Sequence, residues 1–382
     1  MNSLERSIVH MDLDTFFVSC ERLMDSNLNN RPVLIGGTSD RGVVAACSYE
    51  ARKYGVHSAM PMRFARQLCP EAIILRGNTG IYTKYSTLVT DVIKDTVPLY
   101  EKASIDEFYV DLTGMDKNFG CKLWSDELRA KIIKESGLPI SYGLSINKLV
   151  SKVGTGEGKP NGAFMIPNGF EKKFLAPLST AKIPGIGKVT YKKLSFMGVR
   201  TIGKLSEIPA QLLEREFGKH GSILALKSQG IDNSPIVPYS ERKSISKETT
   251  YSIDTIDMEK IERTLIKMVM DLAYTLRKSK KLTSIVTIKL RYADFNTYTK
   301  QKRISYTASD DTLIEFAKNL FNQVNQKRQL IRLVGVKFGG LVNGSPQLTL
   351  FEDTNSIQLM EKMDLIRNKF GKNAITRASL LK

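Results

Sequence analysis

The chain has 382 residues and a formal net charge of +18, with 57 lysines and arginines against 39 aspartates and glutamates. This length allows two to four domains with apolar cores of their own, and the positive charge predicts a polyanionic partner, most simply nucleic acid. No apolar stretch approaches the roughly 20 residues of a membrane span, no signal-peptide pattern opens the chain, and the four cysteines lack the paired spacing of disulfides or zinc sites. We therefore expect a soluble cytoplasmic protein without a membrane partner.

The first part of the chain alternates strand-like and helix-like segments. Residues 1–19 and 77–167 predict one α+β domain with helices on one face of a sheet, interrupted by a short insertion at residues 20–76. Residues 168–232 predict short helices separated by glycines. Residues 233–242 contain two prolines and small polar residues, which indicate an extended linker.

Residues 243–345 predict a second α+β domain, with helices at 257–278 and 311–324 and strands at 283–292, 298–306 and 330–341. This segment has nineteen lysines and arginines against ten aspartates and glutamates, which is half of the net charge. Alternation along the first of these strands places Lys289 and Arg291 on the face opposite its apolar residues. We therefore expect both side chains to contact phosphates. A further helix is predicted at 357–370, in the tail that spans residues 346–382.

Two strand-like strings carry three carboxylates. Asp12 follows the run Ile8-Val-His-Met11, and Asp106 and Glu107 precede the run Phe108-Tyr-Val110. Acid groups at strand ends supply the hard oxygen ligands that Mg²⁺ takes beside substrate phosphates. The cluster predicts a two-metal site for phosphoryl transfer.

Three side chains that can donate hydrogen bonds suit a triphosphate. Tyr49 and Arg52 are three residues apart in a predicted helical turn, so they share a face and can reach one phosphate group. Lys159 precedes a proline, which favours an extended conformation.

A separate phosphate site is predicted at the hairpin Pro184-Gly-Ile-Gly187, which lies between two helices with several lysines nearby. Backbone N–H groups at the start of a helix bind a phosphate without reading the base. Gly185, Gly187 and Lys188 are the predicted DNA contacts at this hairpin.

Six motifs resemble those of the Y-family translesion DNA polymerases, in the order and spacing of that family. They are Met11-Asp-Leu-Asp-Thr-Phe-Phe17, Tyr49-Glu-Ala-Arg52, Ser104-Ile-Asp-Glu107, Ser145-Ile-Asn-Lys148, Lys159-Pro-Asn-Gly162 and Pro184-Gly-Ile-Gly187. The resemblance covers nearly the whole chain and is closest to the DNA polymerase IV branch. It implies a multidomain α+β right-hand polymerase, with a ferredoxin-like palm (1–19 and 77–167), small fingers (20–76), a helix-hairpin-helix thumb (168–232), a linker (233–242) and an α+β little finger (243–345).

The resemblance also implies an activity. A monomer would bind primer–template DNA, dNTP and two Mg²⁺ ions, and would transfer deoxynucleotides to the primer 3′ end with low fidelity and release of pyrophosphate. Asp12 and Asp106 would bridge both ions, Glu107 would help hold the ion at the 3′-hydroxyl, and the Leu13 carbonyl would be a further ligand. The nearby acids Asp14 and Asp111 are not ligands in the family pattern.

Nucleotide contacts follow from the same resemblance. The triphosphate would meet the backbone N–H groups of Phe16 and Phe17 and the side chains of Tyr49, Arg52 and Lys159. The Phe17 ring would exclude a 2′-hydroxyl by its bulk, whereas Phe16 is expected in the core. Ala46 stands where many relatives have a threonine, which removes one possible hydrogen bond to the triphosphate.

The string Gln347-Leu-Thr-Leu-Phe351 resembles the peptide with which such polymerases bind the bacterial sliding clamp. In that peptide Gln347 would cap one subsite, and Leu348, Leu350 and Phe351 would supply the apolar contacts that dominate binding. The alternative is that these side chains pack on the little finger, and the tail after them could cover the motif or bind another partner.

Other classes of function remain open at this point. A noncatalytic translesion scaffold is disfavoured by the intact carboxylates and Lys159. A nuclease or nucleotide cyclase with a two-metal palm has no need of the hairpin and the basic last domain. The nearest alternative is the catalytic subunit of a polymerase V type assembly.

Overall fold

The computed structural model describes residues 6–115, 120–344 and 354–380. They form two compact units, Met1–Ser240 and Glu241–Lys382, whose boundary falls in the predicted linker. Among the described residues, no helix combines the length and the apolar composition that crossing a membrane requires. The finer domain bounds given above stay predictions.

The first unit contains eight strands and eleven α-helices in its described part. The strands are β1 (Ile8–Leu13), β2 (Val33–Gly36), β3 (Val44–Cys47), β4 (Ile73–Leu75), β5 (Tyr100–Lys102), β6 (Glu107–Asp111), β7 (Ile140–Ser145) and β8 (Ala163–Met165). The helices are α1 (Phe16–Met24), α2 (Tyr49–Lys53), α3 (Met62–Leu68), α4 (Thr79–Thr96), α5 (Cys121–Ser136), α6 (Lys148–Gly158), α7 (Glu171–Leu175), α8 (Lys188–Phe196), α9 (Ile202–Ser206), α10 (Ala210–Phe217) and α11 (Lys219–Ser228).

A five-stranded sheet with the order β5-β6-β1-β7-β8 is the centre of this unit. Its middle strand β1 is antiparallel to both neighbours, and Asp12 lies opposite Glu107 on one side and Ser141 on the other. On one face of the sheet, apolar side chains of β1 share a core with α4 and α5. Because β1 is covered on both faces, its sequence is a continuous apolar run rather than an alternating one.

Helix α6 covers the opposite face, so the expectation of helices on one face only was wrong. Thr155 of α6 contacts His10 of β1, with 2.9 Å between the threonine hydroxyl and the ring Nδ1. The approach is closest at Gly143 of β7, where a Cβ would lie 2.1 Å from the Ser151 carbonyl oxygen. Only glycine fits there. The missing side chain lets α6, which carries Lys148 and Lys152, pack closely against the sheet.

Two further clusters belong to the first unit. The three-stranded sheet β3-β2-β4 packs with α2 and α3 around a core of its own, in the predicted insertion. The helices from α7 to α11 surround another core, which also includes apolar residues of α6.

The second unit contains a sheet with helices on one of its faces. Its elements are β9 (Ser244–Thr255), α12 (Met258–Lys278), β10 (Lys281–Tyr292), β11 (Thr297–Thr307), α13 (Asp310–Val324), β12 (Ile331–Gly339), β13 (Val342–Asn343) and α14 (Thr354–Phe370). The strand order is β11-β10-β12-β9, and β13 adds a short pairing to β10. The predicted strands and helices are present within a few residues, but β9 was not predicted.

The alternation along β10 is as expected. Val286, Ile288 and Leu290 are fully buried beneath α12 and α13. Lys289 and Arg291 therefore extend from the other face of the sheet, and each is partly exposed.

Candidate active site

The three predicted acids lie at one end of the central sheet. Glu107 is the first residue of β6 and pairs with Asp12 of β1. The Leu13 N–H donates to the Asp106 carbonyl over 3.1 Å, which continues the pairing beyond the strand. Burial raises the pKa of Asp12 to about 6; the Lys159 ammonium acts in the opposite direction, and the charges of Glu107 and Asp106 add to the rise. The acids therefore interact electrostatically.

Each of these carboxylates has a polar partner. Lys159 Nζ donates to Asp12 Oδ1 over 2.5 Å, and Lys152 Nζ of α6 donates to Glu107 Oε2 over 2.6 Å. The Ser104 hydroxyl donates to Asp106 Oδ1 over 2.5 Å. Two ammonium groups thus offset part of the negative charge at the strand ends, whereas the partner of the Asp106 carboxylate is a neutral hydroxyl.

Sequence reasoning missed Lys152. It follows Lys148 by four residues in α6, so the two share a helix face, and Lys148 Nζ contacts the Glu101 carboxylate at 2.7 Å. The spacing of four residues between the two lysines was the one signal that the sequence offered. It indicates that they share a helix face, but it does not indicate which carboxylates lie against that face.

The donor set fits Mg²⁺ in its chemistry, since it consists of carboxylate and carbonyl oxygens on adjacent backbone positions. Within the described residues, however, no three His, Cys, Asp or Glu side chains already converge as a metal site. A divalent ion at Asp12 and Glu107 would take over the contacts that these carboxylates make with Lys159 and Lys152.

Asp14 has a different environment from the other acids. It is 1% exposed, and its Oδ2 accepts from the Ser141 hydroxyl (2.8 Å) and from the Asn161 N–H (2.7 Å). Its Oδ1 accepts from the Tyr49 hydroxyl (3.2 Å) and lies 3.5 Å from Lys159 Nζ. Asp14 therefore joins β1, β7, α2 and the Lys159 loop. Sequence reasoning missed this role because the partners lie far along the chain.

Tyr49 and Arg52 share one side of α2, as the spacing predicts. The Ser48 hydroxyl caps this helix by accepting from the Ala51 N–H (3.3 Å), and the Arg52 guanidinium lies 5.0 Å from the Tyr49 ring centroid. Burial, reinforced by Asp14, raises the pKa of Tyr49, which keeps the phenol protonated as a donor.

Phe16 and Phe17 are the first two residues of α1. The first intrahelical bond runs from the Ser19 N–H to the Thr15 carbonyl (3.0 Å), so the N–H groups of both phenylalanines precede the first intrahelical donor and have no acceptor within the helix. Phe16 is 3% exposed, as expected of a core residue. The half-buried Phe17 ring stacks on Tyr82, with 4.3 Å between centroids and 12° between planes.

Tyr82, which sequence reasoning also missed, is a fixed support for Phe17. Its hydroxyl donates to Glu21 Oε1 over 2.5 Å. Ala46 of β3 is half-buried and packs on the same core as Phe17, so its methyl group faces the same part of the unit.

The hairpin before α8 has the geometry that its glycines allow. Gly185 has a φ of +100°, in the left-handed region that favours glycine, and Gly187 is the residue before Lys188, where α8 begins. The Lys227 ammonium donates to the Pro184 carbonyl over 2.8 Å. These contacts hold the hairpin in place, and the first N–H groups of α8 follow directly after it.

The second unit modifies one predicted DNA contact. Lys289 Nζ lies 2.9 Å from both carboxylate oxygens of Glu248, on the unpredicted strand β9. Arg291 Nε donates to the Thr297 hydroxyl over 2.7 Å. The charge of Lys289 is therefore partly balanced. The predicted clamp-binding residues Gln347, Leu348, Leu350 and Phe351 lie outside the described residues.

Comparisons with known proteins identify the family of this chain. A model of the impB/mucB/samB family matches residues 11–156, its C-terminal domain matches residues 242–350, and a thumb domain described for DNA polymerase-iota matches residues 181–232. DNA polymerase IV of Dehalococcoides mccartyi (strain CBDB1) is 38% identical over 97% of this chain and 96% of that protein. DNA polymerase IV of Shewanella frigidimarina (strain NCIMB 400) is 35% identical over 94% of this chain and 99% of that protein.

Solved structures show the same relationship. The Y-family DNA polymerase chimera Dbh-Dpo4(243-245)-Dbh has a TM-score of 0.81 at 27% identity, over 88% of this chain and all of that one. DinB from Sulfolobus solfataricus has a TM-score of 0.59 at 27% identity with the same coverage. These neighbours and the matched thumb domain confirm the predicted fold class. The chain belongs to the Y family of DNA polymerases and is of the DinB type.

Proposed function

We propose that this chain is a translesion DNA polymerase, which extends a primer along a DNA template by adding deoxynucleotides. The observation that carries the proposal is the meeting of Asp12 and Glu107 across β1 and β6, with Lys159 on Asp12. The curated relatives, which match almost the full chain, are named DNA polymerase IV. Their names support this function over that of a polymerase V type subunit.

Two Mg²⁺ ions are the proposed cofactors, held by Asp12, Asp106 and Glu107 with the Leu13 carbonyl. When bound, such ions lower the pKa of the attacking hydroxyl and neutralise charge on the transferred phosphoryl group. The proximity of Asp12 to the other two acids supports this assignment, because their mutual repulsion favours a shared cation.

The chain itself would position the nucleotide. Lys159 can turn from Asp12 to the triphosphate, since arriving ions would replace its ammonium as the partner of that carboxylate. Tyr49 and Arg52 present a hydroxyl and a guanidinium from one side of α2, and the N–H groups of Phe16 and Phe17 add donors from the start of α1. The Tyr82 support keeps the Phe17 ring in place, so a 2′-hydroxyl would meet it as a rigid obstacle.

DNA would bind through backbone contacts that ignore base identity. The hairpin at Gly185, Gly187 and Lys188 offers N–H groups and charge to one phosphate, and Lys289 and Arg291 extend from the face of the second sheet opposite α12 and α13. Low fidelity is proposed with this arrangement, because such contacts do not check the nascent base pair.

Partners and location belong to the same proposal. A monomer in the cytoplasm would use residues 347–351 to bind the sliding clamp, with Gln347, Leu348, Leu350 and Phe351 as anchors. Support comes from the sequence of that segment alone.

Primer extension with Mg²⁺ by the Asp106→Asn variant tests the function. The substitution keeps the size of the side chain but removes one negative charge from the metal ligands, so extension should fall by roughly a thousandfold, or about 4 kcal/mol, while DNA binding by anisotropy is retained. Glu107→Gln should behave similarly. The matched control is Asp111→Asn at the far end of β6, where the carboxylate accepts from the Thr113 N–H, and extension should stay near the wild-type rate.

Other results of the same assays would support a different site or a different function. Near-normal extension by Asp106→Asn would contradict the assigned site, and loss of DNA binding would make the residue structural. A wild-type chain that shortens the primer would be a nuclease, and one that binds DNA without extending it would be a scaffold.

A further inference from the structure

The helix α14, at the end of the chain, is fixed to the second unit by a buried ion network. Arg277 of α12 donates from Nε and Nη2 to the two carboxylate oxygens of Asp364, over 2.6 and 3.0 Å. Its Nη1 donates to Asp310 of α13 over 2.6 Å, and the Tyr274 hydroxyl donates to Asn368 over 2.6 Å. A bidentate pair of this kind fixes orientation as well as distance. Residues 358–380 are therefore part of the second unit rather than a loose tail.

A groove of about 670 Å³ lies between α12 and the segment after α14. Its walls carry the cations Lys260, Arg263, Lys267, Arg367 and Lys372. The two acids in the lining, Asp257 and Asp271, are engaged with other groups. Asp257 caps α12 by accepting from the Lys260 N–H over 3.0 Å, and Asp271 pairs with Lys247 outside the groove.

The remaining charge of the groove is positive. In the described part of the chain, Arg263 and Lys267 have no carboxylate within ion-pair distance. Lys260 lies over the Tyr251 ring, 5.7 Å from its centroid, rather than against an acid. Arg367 is buried and reaches Asp364, which Arg277 already holds, over 3.3 Å. Such a lining attracts an anionic ligand.

The floor of the groove is apolar. Met270 and Tyr274 of α12 form one part of it, and Ile375 and Leu380 form the other. Leu380 also packs against the core of the second unit, which anchors the far wall.

Tyr274 does not offer a stacking surface. It is 5% exposed, and the Arg367 guanidinium and the Lys372 ammonium each lie 5.9 Å from its ring centroid. Single-stranded nucleic acid binds chiefly by stacking bases on open aromatic rings beside cations. A peptide that combines acidic and apolar side chains matches the cationic walls and apolar floor better.

We propose that this groove binds a short acidic peptide of a partner protein, with an apolar side chain on the floor and carboxylates against Arg263 and Lys267. Helices α12 and α13 cover one face of the sheet, and Lys289 and Arg291 extend from the other. The peptide site and the proposed DNA face are thus on opposite sides of the second unit. Peptide binding can therefore occur on the DNA-bound polymerase.

Fluorescence anisotropy of the full chain with a fluorescein-labelled aspartate-rich peptide that contains leucine and phenylalanine tests this proposal. Saturable binding is expected, and the double variant Arg263→Glu with Lys267→Glu should weaken it by roughly tenfold or more, because two attractions become repulsions. The matched control, Lys94→Glu with Lys134→Glu, makes the same change of net charge at exposed lysines of α4 and α5 and should alter binding by less than about twofold. Primer extension and thermal melting should stay near wild type in both variants.

Two further measurements on the wild-type chain keep the proposal testable without any variant. A peptide with serine in place of leucine and phenylalanine should bind more weakly, since it leaves the floor uncovered, and oligothymidylate should not displace the original peptide. The proposal is overturned by absence of saturable binding, by equal weakening in the groove and control variants, or by equal affinity for the serine peptide. Displacement by oligothymidylate that depends on Arg263 and Lys267 would instead identify the groove as a nucleic-acid site.

Discussion

Replacing Asp14 by asparagine tests whether this buried carboxylate joins the elements around the nucleotide site. The Ser141 hydroxyl and the Asn161 N–H both donate to Oδ2, so the amide oxygen of an asparagine has to take that position. Its NH₂ group would then face the Tyr49 hydroxyl, which can turn to accept, and the Lys159 ammonium, which cannot.

The size of the effect follows from this geometry. Hydrogen bonds to a charged group contribute about 1.5–3 kcal/mol against about 0.5–1.5 kcal/mol for neutral pairs, so three weakened bonds would cost about 3 kcal/mol. Relief from burying a charge offsets part of this loss. We expect the free energy of unfolding of the first unit to fall by about 2 kcal/mol. Asp14→Ala, which leaves all three donors without an acceptor, should cost about 3–5 kcal/mol.

Urea unfolding followed by tryptophan fluorescence measures this loss in the relevant unit. The chain has one tryptophan, Trp124 of α5, which packs against the core around β1. Its emission therefore reports the first unit, even when the second unfolds separately. The control Asp111→Asn changes a half-buried acid whose carboxylate accepts from the Thr113 N–H and should lower the free energy by less than about 1 kcal/mol.

A functional measurement accompanies the unfolding experiment. Tyr49 and Lys159 both contact the Asp14 carboxylate, and both are proposed to bind the triphosphate. In the Asp14→Asn variant, the KM for dNTP should therefore rise more than kcat falls. A free energy of unfolding within about 0.5 kcal/mol of wild type for this variant, measured by Trp124 emission, would refute the assigned role of Asp14. An equal loss of stability in Asp111→Asn would refute it as well.

Three further predictions concern sugar, salt and the clamp. Phe17→Ala should raise ribonucleotide insertion relative to deoxynucleotide insertion by roughly a hundredfold or more, because the steric clash is lost. If the ratio of kcat/KM for the two nucleotides is unchanged in a variant with a wild-type melting curve, Phe17 is a core residue without a role in sugar selection. The logarithm of DNA affinity should fall linearly with the logarithm of salt concentration, with a slope of about −0.9 per phosphate contacted. Lys289→Ala with Arg291→Ala should make that slope shallower by about one unit. An unaltered slope would show that these two side chains do not contact DNA. Leu350→Ala with Phe351→Ala should abolish clamp-stimulated synthesis and leave unstimulated extension intact, and clamp affinity that survives the change would contradict the assignment.

Short-range patterns account for what the sequence could predict. Strand alternation along β10 and helical spacing in α2 depend on residues two to four positions apart, so the faces of Lys289, Tyr49 and Arg52 could be predicted. The acids at Asp12 and Glu107 were identified in the same way, from the apolar runs beside them.

Long-range contacts account for most of what it could not. The hydrogen-bond partners of Asp14 lie 35, 127 and 147 residues away along the chain, and Lys152 reaches Glu107 over a separation of 45 residues. Such pairs depend on how the strands are ordered and on which face α6 covers, and no local period encodes either. The pairing of Lys289 with Glu248 could not be foreseen for the same reason, since it depends on β9.

The outer strands of the second sheet have a consequence for self-association. In the described residues, β11 and β9 form the two ends of the strand order, and β11 is exposed along most of its length. A long open edge of this kind can pair with the edge of another molecule, and charged side chains are a common protection against it. Lys300, Lys302 and Arg303 place such charges on β11. Lys300 and Lys302 pair with Ile288 and Val286, so they lie on the face that the helices cover, and the Lys302 ammonium is 5.0 Å from the Phe316 ring centroid of α13. Neutralising these two lysines should therefore promote association between copies of the chain and leave Lys289 and Arg291 of the proposed DNA face unchanged.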